Sequence, residues 1–178
     1  MSTTTSQTPA PDGIEVRHWE ERGRLSLLAA PVATTLLTAV VVAGLLGVVG
    51  APDKVRTAST AEAELAVFGP EVVRNGEYFE MRFRIRVKRL VSKPVLAVDT
   101  GVWKDITINT GIPAPIEEAY RNGAFEFTFG RLEAGEELLY KVDGQINPDF
   151  RGANSGKVRL YDGERQAAEI QYDLVVRP

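Results

Sequence analysis

A chain of 178 residues with 25% charged and 44% apolar residues has the composition of folded protein, which excludes disorder throughout. Its formal net charge of -3 and pI near 5.3 give no overall cationic field, so a nucleic-acid partner would need a local basic patch. With no cysteine, disulfides, thiolate metal sites and thiol nucleophiles are excluded together.

Residues 1–24 open with "MSTTTSQTPAPDG", rich in Ser, Thr and Pro and nearly devoid of apolar side chains, and are expected to form a largely disordered tail. The charged segment "IEVRHWEERGR" follows, and then residues 25–50, "LSLLAAPVATTLLTAVVVAGLLGVVG", carry no charge at all. Roughly 20 apolar residues at a rise of about 1.5 Å cross a hydrocarbon core of about 30 Å, so this segment reads as a transmembrane helix. Pro31 sits near its start, where a lost hydrogen bond does least harm. Arg17, Arg22 and Arg24 on the N-terminal flank outweigh Lys54 and Arg56 beyond the other end, which favours a cytoplasmic N-terminus and an exported C-terminal portion. A cleaved signal peptide is the rival reading, with Val48 and Gly50 small enough to precede a cut before Ala51. A signal peptide's apolar region, however, runs only about 7 to 15 residues. Within the span Thr35, Ala39, Ala43 and Gly47 recur every four residues, a stripe of small side chains that lets two helices approach closely in lipid. The stripe is either a seam, for an integral membrane partner or for self-association, or chance periodicity in a span rich in Ala and Gly.

Residues 51–62 read as a polar linker, and over 63–178 the apolar pattern changes to period two. "AELAVF" is a first strand, and "RNGEYFEMRFRIRVKRL" a second after a turn at Asn75 and Gly76, with Phe79, Met81, Phe83, Ile85 and Val87 on one face. "PVLAVDT" and "DITINT" are shorter strands, closed by a loop carrying Pro113 and Pro115. "AFEFTF" sends Phe125, Phe127 and Phe129 to one side, and "LLYKVDGQI" offers Leu138, Tyr140 and Val142 to a buried face. The last stretch, "KVRLYDGERQAAEIQYDLVV", is a hairpin on Asp162 and Gly163 with Ile170, Tyr172, Leu174 and Val176 facing inward. Strands at this spacing, without a helical period between them or an internal repeat, predict one all-β domain, an antiparallel immunoglobulin-like β-sandwich preceded by the transmembrane α-helix.

The stretch "FTFGRLEAGEELLYKVDGQINPDFRG" resembles the bacterial immunoglobulin-like modules of cell-surface and adhesion-related proteins, in which a strand ends in an L-x-x-G-E turn. Leu132, Gly135 and Glu136 are the matching residues, about a third of the chain is covered, and the resemblance implies the fold without implying an activity. The chain also looks like uncharacterised single-span bacterial membrane proteins whose neighbours are polytopic membrane proteins. Neither likeness carries over a functional residue.

One strand is unusual in its charge. Arg82, Arg84, Arg86 and Lys88 alternate along "FEMRFRIRVKRL", and same-face residues about 7 Å apart make a cationic row. Nucleic acid is the poorest partner for it, because the domain is expected across the membrane from the cytoplasm and lacks interleaved exposed aromatics. The row is either a solvated face balanced by carboxylates such as Glu80, Glu126 or Asp173, or a docking face for an acidic partner or anionic lipid headgroups.

Chemistry is sparse beyond the span. The single histidine, His18, precedes it, so neither a nucleophile–histidine pair nor a structural zinc site can be assembled on the far side. Glu117 with Glu118, Glu136 with Glu137, and Asp99 with Asp105 could form a hydrolytic pair or a calcium site, but adjacent acids point in different directions. Asn147, Asp149 and Asn154 lack the alternate spacing of a calcium loop. Trp103 and Tyr120 could stack on a sugar ring, although a lone Trp in a sandwich more commonly plugs the core or its rim. The expectation is a non-enzymatic accessory or interaction subunit of a larger membrane assembly, without cofactor or metal, its domain periplasmic or extracellular. An envelope polysaccharide-binding or adhesive surface module, using the loop "TGIPAPIEEAYRNG", is the alternative.

Overall fold

The computed structural model describes residues 24–45 and 53–178, in two compact units, Met1–Val49 and Gly50–Pro178. Of the stretch 1–24 expected to be a tail, residues 1–23, with His18, lie outside the described residues, as does Gly47, whereas Arg24 begins the helix. The first unit holds helix α1, Arg24–Leu45, and its segment Leu28–Leu45 is long and apolar enough to cross a membrane or to act as a signal sequence. Pro31 lies inside α1, and the hydroxyls of Thr34 and Thr35 donate back to the carbonyls of Ala30 at 2.9 Å and Pro31 at 2.8 Å. These bonds satisfy polar groups within the helix itself, as an apolar medium requires. Thr35, Ala39 and Ala43 follow one another a turn apart along α1.

The second unit is built from strands in the chain order β1 (Lys54–Ser59), β2 (Ala63–Gly69), β3 (Val72–Arg74), β4 (Tyr78–Val87), β5 (Pro94–Asp99), β6 (Ile106–Ile112), β7 (Glu117–Arg121), β8 (Ala124–Thr128), β9 (Glu137–Ile146), β10 (Gly152–Asp162) and β11 (Arg165–Arg177). They form a two-sheet sandwich with orders β1-β2-β4-β9-β6 and β3-β11-β10-β5-β8-β7. The core follows from alternation: Met81, Phe83, Ile85 and Val87 of β4, Tyr140 and Val142 of β9, and Ile170, Tyr172, Leu174 and Val176 of β11 are all buried. Phe83, Phe127 and Phe129 surround the Tyr140 ring at 6.1, 5.4 and 5.1 Å between centroids, which places an aromatic cluster between the sheets.

Several details differ from the sequence reading. Residues 54–59, expected within a linker, form β1, because Lys54–Ser59 pairs antiparallel with β2 from Lys54 opposite Gly69 to Ser59 opposite Glu64. The turn at Asn75 and Gly76 does not close a hairpin: β3 pairs with β11, in parallel, so the second sheet is mixed rather than wholly antiparallel. The chain changes sheet at Gly69 and Pro70, where the Tyr172 hydroxyl donates to the Pro70 carbonyl at 2.6 Å. A Cβ on Gly69 would come within 2.6 Å of that hydroxyl oxygen, so glycine is what the close approach admits. Strand β7 emerges from the segment expected to be loop, and Phe125, expected inside with Phe127 and Phe129, is 36% exposed.

Candidate functional site

The cationic row lies on the outer face of the first sheet, where β4 runs between β2 and β9. Arg82 reaches Asp53 at 3.2 Å and has Glu80 at 3.4 Å, while Arg84 has Glu64 at 3.7 Å. Both guanidinium groups lie over the Phe68 ring, at 5.4 and 5.1 Å, so each stem covers apolar surface while its head meets a carboxylate. Lys88 donates to the Ser59 hydroxyl at 2.7 Å and the Thr60 carbonyl at 2.8 Å, and Arg86 makes no ion pair among the described residues. Of the carboxylates expected to balance the row, Glu80 does so. Glu126 and Asp173 sit in the other sheet, on β8 and β11, beside Arg121 and Ser155.

Trp103 and Tyr120 lie at the opposite flank. The connection from β5 to β6 that carries Trp103 is stapled to the start of β10: the Asn154 amide donates to the carbonyls of Val102 at 3.2 Å and Lys104 at 2.6 Å. Gly101 crosses so close to the Ser155 carbonyl that a Cβ there has no room. Held in this way, Trp103 is only 6% exposed, and its indole N–H donates to the Met81 sulfur at 3.4 Å. Tyr120, by contrast, is 62% exposed. The two are not side by side, because Phe125 stands between them with centroids 5.7 Å from Trp103 and 5.5 Å from Tyr120.

This aromatic ladder forms one wall of a cleft of about 450 Å³, opposite Ile106 and Ile108 of β6. The β7–β8 hairpin builds the wall: Tyr120 registers with Phe125 and Glu118 with Phe127, and Asn122 and Gly123 turn the chain in left-handed backbone at φ 50° and 77°. Both sides of the cleft are edge strands, since β6 pairs only with β9 and β7 only with β8. Of the large hydrophobic side chains exposed on the sandwich, Ile108, Tyr120 and Phe125 line this cleft, whereas Val55, Tyr78, Leu90, Ile112, Ile116, Leu139 and Val175 do not. Glu118 is the cleft's one carboxylate, and it makes no ion pair among the described residues. Burial first, and then the Glu118 charge, push the nearby Tyr140 hydroxyl up to about 12.

The remaining acids are engaged separately. Glu117 points to the other face of β7 from Glu118 and meets Arg121 at 3.3 Å. Asp99 receives two bonds from Arg159, at 2.7 and 3.1 Å, while Asp105 lies in the β5–β6 connection with a left-handed φ of 55°. Glu136 accepts from the Glu133 amide at 2.7 Å, and the adjacent Glu137 faces Arg86 in the β4–β9 register. Asn154 is buried with its amide turned to backbone carbonyls, so it does not join Asn147 and Asp149 in a common loop site.

Sequence reasoning named Trp103 and Tyr120 but missed Phe125 and Ile108 as cleft residues, and took Glu118 only as half of an acid pair. The Asn122–Gly123 dipeptide between "EEAY" and "AFEF" was the available signal, since it marks a tight hairpin and hence β7. Comparison with protein-family models and with curated protein sequences finds no match to this chain.

Proposed function

We propose that this protein is a non-enzymatic, membrane-anchored interaction subunit of a larger membrane assembly. Helix α1 spans the bilayer with the N-terminus cytoplasmic, and the sandwich stands on the periplasmic or extracellular side. The observation that carries the reading is the apolar cleft between β6 and β7, where the exposed side chains of Ile108, Tyr120 and Phe125 meet. Thr35, Ala39, Ala43 and Gly47 are a second contact, inside the bilayer. The arginine row is the weaker docking face, because Arg82, Arg84 and Lys88 already have partners on their own sheet.

The test is purification of the tagged protein from its native membrane in mild detergent, with identification of what accompanies it. An integral membrane protein should co-purify and be lost with Ala43→Leu plus Gly47→Leu, with Tyr120→Ser plus Phe125→Ser, or with both. Leu is at home in lipid, so insertion should persist in the first pair. Recovery of the protein alone, without a partner beyond those found with an untagged control, would sink the reading.

A polysaccharide-binding module is the second reading, favoured by the exposed Tyr120 ring beside Phe125. Retention on immobilised envelope polysaccharide, abolished by Tyr120→Ser, would support it.

A further inference from the structure

An asparagine or aspartate followed by glycine can close on itself as a cyclic succinimide, because glycine has no side chain to shield its amide nitrogen. Among the described residues, such pairs sit at turns in Asn75–Gly76, Asn122–Gly123 and Asp162–Gly163. The first two follow an arginine, Arg74 and Arg121, so the same tripeptide occurs twice and only its surroundings differ. Asn75 is locked: its side-chain amide donates to the Pro148 carbonyl at 2.8 Å, and the Gly76 N–H donates to the Ile146 carbonyl at 3.1 Å. The Asp162 pair is locked in the same way, its carboxylate accepting from the Lys93 amide at 3.0 Å while the Gly163 N–H donates to the Lys93 carbonyl at 2.8 Å. Asn122 and Gly123 are both exposed, and neither the Asn122 side chain nor the Gly123 N–H has a hydrogen-bond partner among the described residues. Only the Gly123 carbonyl is held, by the Thr100 amide at 2.9 Å and the Thr100 hydroxyl at 3.0 Å. The turn also closes the edge strand β7, which opens by parting from a single neighbour.

We propose that Asn122 is a site of spontaneous covalent modification, converting to aspartate and isoaspartate and so dismantling the hairpin wall of the cleft with time. The Gly123 nitrogen gives up its proton and bonds to Asn122 Cγ. The Cγ–Nδ2 bond then breaks, and the side-chain nitrogen leaves as ammonia, taking a proton with it. Water, the one co-reactant, opens the resulting succinimide at either of its two carbonyls. Opening at the new Cγ–N bond leaves aspartate on an unchanged main chain, whereas opening at the original peptide bond leaves isoaspartate, whose main chain runs through Cβ and Cγ. The two products differ in consequence. Isoaspartate adds a methylene to the two-residue turn whose left-handed backbone sets Arg121 opposite Ala124, so the pairing of Tyr120 with Phe125 is lost. Aspartate tolerates left-handed backbone and keeps the hairpin, but it adds a carboxylate to the polar cavity of about 530 Å³ that Asn122 lines with Glu117, Arg121 and Glu126.

The test incubates the full chain in detergent micelles, at mildly alkaline pH in heavy-oxygen water, beside a sample unfolded in guanidinium chloride, and maps both by peptide mass spectrometry. In the folded chain residue 122 should take up heavy oxygen about tenfold faster than residue 75, since the bonds that tie Asn75 and Gly76 must first break. In the unfolded chain the two should convert at equal rates, because their local sequences match. An isoaspartyl-specific methyltransferase should label the peptide that contains residue 122. Hydrogen exchange of the separated isoaspartyl form should show amide protection lost across β7 and β8 and kept across β10 and β11, while freshly prepared Asn122→Asp keeps both. Equal conversion of residues 75 and 122 in the folded chain would overturn the proposal. So would an Asn122 that keeps its amide while the unfolded chain converts. An isoaspartyl form with unchanged protection of β7 and β8 would reject the dismantling of the wall.

Discussion

Phe83 is fully buried, its ring 6.1 Å from that of Tyr140 and 6.2 Å from that of Trp103 between centroids. The next residue, Arg84, turns to the outer face, where its side chain keeps 37% of its surface exposed and shares the Phe68 ring with Arg82. Phe83→Ala leaves a cavity inside an aromatic cluster that other rings define, and should cost about 3 to 5 kcal/mol. Arg84→Ala removes one cation–π contact and one loose ion pair at a half-exposed site, and should cost about 0.5 to 1 kcal/mol. Urea denaturation of the two variants measures the contrast. Equal losses would mean that the outer face of β4 is as tightly packed as the inner. The same alternation explains why Arg82 and Arg84, part of what looks like a phosphate grip in sequence, are engaged side chains in the fold, while Arg86 makes no ion pair among the described residues: the first two take counter-charges from Asp53 and Glu64 on other segments and apolar support from Phe68 of β2. None of these partners is adjacent to the arginines in the chain, so composition along β4 alone could not reveal them.

At the scale of elements, the β10–β11 hairpin carries the clearest pH dependence. Asp173 of β11 accepts from the Ser155 hydroxyl of β10 at 2.6 Å and from the Gln171 amide at 3.2 Å, and these bonds hold its carboxyl below the usual range. Hydrogen bonding from Lys157, with support from Arg159, lowers Glu169 in the same hairpin. A depressed carboxyl contributes stability that is fully present above its unfolded value, about 4, and is lost as pH falls through the folded value. The urea midpoint should therefore fall between pH 7 and pH 3, and Asp173→Asn should make that fall smaller; an unchanged fall would show that the Ser155 bond does not couple to folding. Hairpins of this kind were legible in the sequence, because Asp162–Gly163 and the alternation of Ile170, Tyr172, Leu174 and Val176 are local signals. The position of β1, the parallel β3–β11 pair and the change of sheet at Gly69 were not, since each depends on which distant strand offers a free edge. The cleft was half legible for the same reason. Trp103 and Tyr120 stand out by residue type, but that one is held inside and the other left bare follows from the Asn154 staple and from the place of Tyr120 on the edge strand β7.

For the whole molecule, the uncharged run and the sandwich have to be placed relative to a membrane, and one chemical property of the chain makes that measurable. It contains no cysteine, so a single introduced thiol is the only site for a maleimide. Ser6 lies before α1, and Glu164 lies in the exposed turn between β10 and β11, far along the chain from α1. If α1 spans the bilayer with the arginine-rich flank inside, a membrane-impermeant maleimide added to intact cells should label Glu164→Cys and not Ser6→Cys, while permeabilised cells should show both. The reverse pattern would place the cleft in the cytoplasm and remove the envelope from every reading of it. Cleavage of the apolar segment is distinguished in the same samples: a tag fused before Ser6 stays with the labelled sandwich if the helix is an anchor, and separates from it if a peptidase cuts before Ala51. Retention of the tag is the expected result, because the uncharged run of residues 25–50 exceeds the roughly 7 to 15 apolar residues of a signal peptide. Loss of the tag would leave a free sandwich, whose partner would then have to be held by the β6–β7 cleft alone.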